Sequence, residues 1–170
     1  MIRTDRTPHQ ARLCAILLLA GALALPVASA SAAVSLLSAP CEEALALSAL
    51  PVELRDTASA WVLGGDGYRL RRKGGGNFTC LVTRNHPDSI VPLCFDRAGT
   101  EAIFPSSVRR GEMALAGRSD AEFLEDRQKR ENQGEVRPAA PGVSYMVSDY
   151  NYIYVGQRGR IAKVPPHMMF

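Results

Sequence analysis

No stretch of this 170-residue chain is long and apolar enough to read as a membrane anchor. The longest apolar run, Leu13 to Leu25, ends at Pro26 after 13 residues, where a spanning helix needs roughly 20. Histidine is scarce, with three in all, and there is one tryptophan. No Gly-x-Ser-x-Gly elbow occurs, and no glycine loop is followed by Lys-Ser or Lys-Thr, so neither a nucleophile turn nor a phosphate loop can be read. Internal repeats and extended low-complexity segments are lacking after residue 32. A strong charge of one sign is lacking too, once the N-terminus is considered separately.

What the N-terminus does have is a pattern. Arg3, Arg6 and Arg12 precede the apolar run, and the small residues Ala28-Ser29-Ala30-Ser31-Ala32 follow it. This is the layout of a secretory signal peptide over residues 1–32, cleaved after Ala30 or Ala32. The arginines are not adjacent, which favours the general secretory route over the twin-arginine one. Cys14 comes too early and Cys41 too late for a lipoprotein site. Residues 33–170 then form a single small domain, periplasmic or secreted, with no membrane span once the signal is removed. Three of the 20 basic residues and one of the 17 acidic ones fall in the leader, leaving 17 against 16. Nucleic acid is therefore not an expected partner.

Cys41, Cys80 and Cys94 remain, and an oxidising compartment favours a disulfide. Phe78 to Thr83 and Ile90 to Asp96 are rich in strand formers and flank the turn-forming Asn85-His86-Pro87-Asp88-Ser89. A hairpin centred on Pro87 sets Cys80 opposite Cys94 at bonding distance. Closing that loop stabilises the fold by about 3 kcal/mol in the chain-entropy model. Cys41 is left over, either as a small buried residue near a helix start or as a reactive or intermolecular thiol.

Periodicity places an N-terminal helix on Leu47, Leu50 and Leu54, opened by Pro40 and divided at Pro51. Ala58 to Leu63 and Tyr68 to Arg72 flank Gly64-Gly65-Asp66-Gly67, a hairpin signal, and Gly74-Gly75-Gly76 marks the next reversal. With a short Glu101 to Phe104 segment, this predicts an antiparallel β-meander of up to five strands. Phe104, Val108, Gly111 and Leu115 then trace one helical stripe ended by Gly117. Ser119 and Glu122 form a capping box that opens a solvated helix through about Arg130, with Glu125 to Lys129 and Asp126 to Arg130 as supporting pairs. After a connector over Pro138 to Gly142, Val143 to Val147 and Tyr152 to Val155 predict a C-terminal hairpin. The expected class is α+β: an antiparallel β-meander with an N-terminal helix, a central helical pair and a C-terminal hairpin.

Taken as a set, Gly67-Tyr68, Asn77-Phe78-Thr79-Cys80-Leu81-Val82, Pro92-Leu93-Cys94-Phe95-Asp96, Pro141-Gly142-Val143-Ser144-Tyr145-Met146 and Pro165-Pro166-His167-Met168-Met169-Phe170 resemble the signposts of a family of secreted bacterial proteins of unknown function. The resemblance spans most of the chain after the leader and implies export. It implies no activity, cofactor or catalytic residue. Family members continue past the His-Met-Phe segment with an aromatic, proline-containing tail, whereas this sequence ends at Phe170.

Candidate chemistry is sparse. His167 with Met169 or Met168 offers imidazole and thioether to copper, yet neighbouring residues of a strand face opposite ways, and packing of a terminal strand is the better reading. Zinc on Cys80, His86, Cys94 and His167 matches no familiar spacing and competes with the disulfide. A hydrolase would need His86 or His167 beside a serine, cysteine or carboxylate. Arg69, Arg71, Arg72 and Lys73 form a basic patch suited to an anionic envelope polymer, or simply the wet face of an edge strand. Tyr150, Tyr152 and Tyr154 offer a contact surface to another envelope protein. No cofactor is expected. Asn77-Phe78-Thr79 fits a glycosylation sequon by coincidence. The expected role is that of an exported cell-envelope protein, a non-catalytic binding or structural module, with a small hydrolase and a copper-binding protein as alternatives.

Overall fold

The structure is a computed structural model that describes residues 34–136 and 141–170. The expected signal peptide, and Pro138 to Ala140 of the connector, lie outside the described residues. The architecture is α+β, with an N-terminal helix, central helices and a C-terminal strand hairpin. The first helix, α1 (Ala39–Leu47), carries Pro40 in its first turn, and a short α2 (Val52–Arg55) follows Pro51. Pro51 divides the segment because its ring and missing amide hydrogen cannot continue the helical ladder.

Strands β1 (Ser59–Gly64), β2 (Gly67–Arg72), β3 (Thr79–Thr83), β4 (Val91–Phe95), β5 (Ser144–Met146) and β8 (His167–Met169) make one sheet, in the order β2-β1-β3-β4-β5-β8. The pairing departs from a pure meander because β1 and β3 run parallel. The link from β2 to β3 crosses the chain entering β1, and Gly74 and Gly76 make that crossing fit. A Cβ on Gly76 would lie 2.8 Å from the Thr57 carbonyl oxygen, and one on Gly74 would strike the same backbone. Parallel pairing lasts only through Ser59–Thr79 and Ala60–Cys80. Beyond it the strands part, and the Val82 carbonyl takes its hydrogens from the Tyr68 hydroxyl (2.6 Å) and from Arg84 Nη1 (3.2 Å).

Glu101 to Phe104 is helical, contrary to the strand expected there. The Asp96 carboxylate accepts from the Gly99 amide at 2.8 Å and starts α3 (Arg97–Ala102), after which α4 (Phe104–Leu115) begins directly. The C-terminal hairpin is also built differently. Strand β5 pairs with β4 and β8, while β6 (Tyr152–Val155) pairs with β7 (Arg160–Lys163) across a 3-10 turn at Gly156–Arg158. This ribbon meets the sheet through a bridge between Ile90 and Tyr152, and through the Asn85 side chain. That amide donates to the Tyr154 carbonyl (2.8 Å) and accepts from the Tyr154 amide (3.1 Å), as a neighbouring strand would.

Helix α5 (Asp120–Asn132) opens with the Ser119–Glu122 capping box in full. Its expected internal pairs are rearranged, because Arg109 of α4 takes Asp126 (3.0 Å) and Arg130 turns to Glu135 (3.2 Å). The two faces of the sheet have separate cores. On one, α1 and the turn after it pack Ala46, Leu47 and Leu50 against Ala60, Val82 and the half-cystines Cys80 and Cys94. On the other, Leu81, Leu93, Phe95 and Met146 pack with Trp61, Tyr68 and Phe104.

Candidate functional site

Among the described residues the second face is only partly covered, and its less covered half is the candidate site. Helix α4 turns small residues toward the sheet, Ser107, Gly111 and Ala114, which are all buried. At Gly111 a Cβ would lie 2.7 Å from the Tyr68 ring, so the absence of a side chain there sets how closely α4 approaches the β2–β3 half. The β4, β5 and β8 half is left beneath a cleft of about 770 Å³. That volume is within the roughly 300–1,000 Å³ of small-molecule sites.

Strand register fixes what the cleft floor presents. Residues paired directly across strands share a face, and the rungs Phe95–Ser144–Met169 and Met146–His167 all face the cleft, together with Val91 and Leu93. The intervening rung Cys94–Tyr145–Met168 faces α1, where Tyr145 meets the Phe78 ring edge-on at 5.5 Å between centroids. Ile153 of the ribbon and Phe123 of α5 complete the apolar lining.

Charges at the rim are compensated. Arg110 reaches Asp120 (2.6 Å) and lies 5.1 Å from the Phe123 ring centroid, while Arg127 meets Glu131 at 2.8 Å. Thr83 donates to the Ser107 carbonyl at 2.9 Å. The hydroxyls of Ser107 and Ser144 are different. Both residues line the cleft, they are 9 % and 4 % exposed, and neither hydroxyl makes a hydrogen bond among the described residues. No family model, no curated protein and no solved structure matches the chain.

The residues singled out in the sequence fall in five places. Cys80 and Cys94 are directly paired across β3 and β4, with Cα atoms 4.0 Å apart, and form the disulfide. Both sulfurs are thereby removed from any thiolate zinc site. No group of three or more His, Cys, Asp or Glu among the described residues is placed to hold a metal ion. Cys41 is exposed in the first turn of α1, not buried as its packing reading had it, because the helix turns Glu42 inward instead.

His167 and Met169 do share the cleft face, and Met168 points away. The His167 ring meets the Pro165 carbonyl at 2.8 Å. His86 lies elsewhere, stacked on Tyr154 at 4.5 Å, with its Nδ1 accepting from the Asp88 amide at 3.2 Å. Neither ring makes a hydrogen bond to a serine or cysteine among the described residues, and the carboxylate beside His86, that of Asp88 at 3.6 Å, is exposed and lies outside the cleft lining. Of the tyrosines, Tyr150 and Tyr152 are exposed, while Tyr154 is half-buried by that stack. The basic patch is partly neutralised: Arg71 lies 3.4 Å from Glu43, and Arg72 donates to the Asp56 carbonyl at 2.7 Å. The nearby glycine amides are occupied as well, Gly74 by the Ser59 hydroxyl (3.0 Å) and Gly76 by the Thr57 carbonyl (2.7 Å), so they do not form an anion cradle.

Sequence reading missed the cleft hydroxyls and the buried pair on the opposite face. Ser144 sits in phase with Met146 on a strand, and Ser107 belongs to the inward stripe of α4, so the periodicities of 2 and 3.6 carry their signal. Glu42 and Arg84, 1 % and 2 % exposed, meet at 2.9 Å. Burial pushes the Glu42 carboxyl above its ordinary value, with the Arg84 charge and hydrogen bond opposing it. Burial likewise raises the neighbouring Tyr68 phenol.

Proposed function

We propose that this is an exported cell-envelope protein that acts by binding, and that its binding element is the cleft between α4, α5 and the β4–β5–β8 half of the sheet. The single observation that carries the reading is that cleft: some 770 Å³ over an apolar floor, with Ser107 and Ser144 in its lining. Export is supported by the N-terminal run from Arg3 to Ala32 and by the resemblance to secreted bacterial proteins. The Cys80–Cys94 disulfide is compatible with it. No helix among the described residues is long and apolar enough to cross a membrane. Binding is favoured over hydrolysis because the ring of His167, the one histidine in the cleft, engages a backbone carbonyl rather than a nucleophile.

The test uses an uncharged apolar fluorophore. Nile red should bind the oxidised protein saturably with one equivalent, and Ala102→Trp, which adds an indole at the cleft wall, should abolish binding without lowering Tm. Ser106→Trp serves the same purpose from α4. Unsaturable binding, or binding untouched by both substitutions, refutes the cleft as the binding element.

A further inference from the structure

Resting on that reading, we infer that the cleft takes an uncharged single-chain amphiphile, an aliphatic chain carrying a hydroxyl- or ester-bearing head. Three observations converge on this chemistry. Val91, Leu93, Phe95 and Met146 lie on one sheet face and present an apolar floor, which suits a chain and offers it no hydrogen bonds. The cations at the rim are already satisfied, Arg110 by Asp120 and Arg127 by Glu131. A carboxylate or phosphate head could reach neither rim arginine without displacing an existing partner, and a cationic head would meet no free acid there among the described residues. Finally, Ser107 and Ser144 are 9 % and 4 % exposed as residues and line the cleft, and their hydroxyls, which make no hydrogen bond among the described residues, are not sealed off as the Glu42 Oε1 and Asn151 Oδ1 atoms are. A hydroxyl so placed favours a ligand that can both donate and accept, as a glycerol head does.

Displacement of Nile red by a monoacylglycerol series tests the inference. Affinity should rise about fourfold per methylene from eight carbons upward until the cleft is filled. Monodecanoylglycerol should bind more tightly than decanoate at neutral pH. Ser144→Ala should weaken monodecanoylglycerol about fivefold, the loss of one hydrogen bond, while leaving Nile red unchanged. Three results would overturn the inference: no dependence on chain length, decanoate binding at least as tightly, or equal effects of Ser144→Ala on both ligands. If Nile red is held and lost in Ala102→Trp but no monoacylglycerol displaces it, the ligand class fails and the binding cleft stands. If Nile red is not held at all, both fail. A dimer in solution that Ala102→Trp dissociates would make a second copy of the chain the occupant and exclude the amphiphile.

Discussion

Replacing Arg84 by methionine probes the interior most directly. Arg84 and Glu42 are almost fully buried and meet at 2.9 Å, and Glu42 Oε1 has no partner among the described residues. Removing the guanidinium leaves a carboxylate in low dielectric with no counter-charge, and breaking a buried pair this way costs about 3–5 kcal/mol. Two features hold the loss to the lower end of that range. The Val82 carbonyl keeps its 2.6 Å bond from the Tyr68 hydroxyl, and Glu42 lies in the first turn of α1, where the helix dipole favours a negative charge by about 0.3–1 kcal/mol. The expected loss is about 3 kcal/mol at neutral pH, a large share of the roughly 5–15 kcal/mol that holds a domain folded.

The loss should depend on pH, with a sign that follows from burial. Glu42 already sits above its ordinary value of 4.5, and without Arg84 it rises further. A carboxyl whose folded pKa exceeds its unfolded one binds more protons when folded, so its contribution is fully present at low pH and fades as pH rises through the folded value. Arg84→Met is therefore less damaging at pH 5 than at pH 8, with a limiting slope of about 1.4 kcal/mol per pH unit. Glu42→Gln instead strands a guanidinium that stays charged throughout and removes the titrating carboxyl, so this variant's own stability no longer carries the Glu42 pH dependence. Glu42→Leu combined with Arg84→Met removes both charges and recovers most of the loss. Urea unfolding of the oxidised protein, followed by the fluorescence of its single tryptophan, Trp61, reads all three variants. A deficit in Arg84→Met below about 1 kcal/mol, equal at pH 5 and pH 8, would refute the reasoning.

Gly111→Ala should lower stability by about 1–3 kcal/mol, because its methyl must displace the Tyr68 ring; thermal unfolding by circular dichroism checks it, and an unchanged Tm contradicts the packing argument. Replacing Cys80 and Cys94 together by serine should cost about 3 kcal/mol in urea, and a midpoint equal to that of the oxidised wild type would remove the disulfide from the list of stabilising features. Helix α5 should loosen before the sheet in acid. The backbone and hydroxyl of Ser119 with Arg118 hold the Glu122 carboxyl below its ordinary value of 4.5, and Arg109 holds Asp126 below 3.8. Such groups stabilise above their unfolded pKa and lose that contribution as pH falls through the folded one, so amide-exchange protection factors in 120–132 should fall ahead of those in β3 and β4 as pH drops from 5 to 3. Arg71→Gln with Arg72→Gln should leave retention on heparin nearly unchanged, since Glu43 and Asp56 already engage both; a clear drop in salt-sensitive retention would restore the basic patch as a binding surface.

What could be read from the sequence was local, and the reason is physical. The Cys80–Cys94 pairing follows from one turn and two strand-forming runs, because hairpin register is set by the turn itself. The capping box at Ser119 and the divided N-terminal helix are equally local. The parallel contact of β1 with β3 is not: it depends on Gly74 and Gly76 lying against the Thr57–Ala58 backbone, a contact between segments whose glycines also read as a plain turn. Asp96 followed by Gly99 carries a helix start, but the apolar Ile103 and Phe104 beyond it suggest a strand, and only the side-chain cap decides between them.

The cleft is the least local feature of all. It arises because Ser107, Gly111 and Ala114 bring α4 down over β2 and β3, while the Asn85 side chain holds the ribbon at the margin and β8 extends the floor beyond β5. Each of those residues looks ordinary in its own segment. A serine in the inward stripe of a helix or a strand ordinarily finds a protein partner, as Thr83 does at the Ser107 carbonyl. Ser107 on α4 and Ser144 on β5 have none among the described residues, and both line the same cleft. On the reading proposed above, that coincidence favours a binding cleft over a packing defect, because a defect gives no reason to keep two serine hydroxyls in its lining.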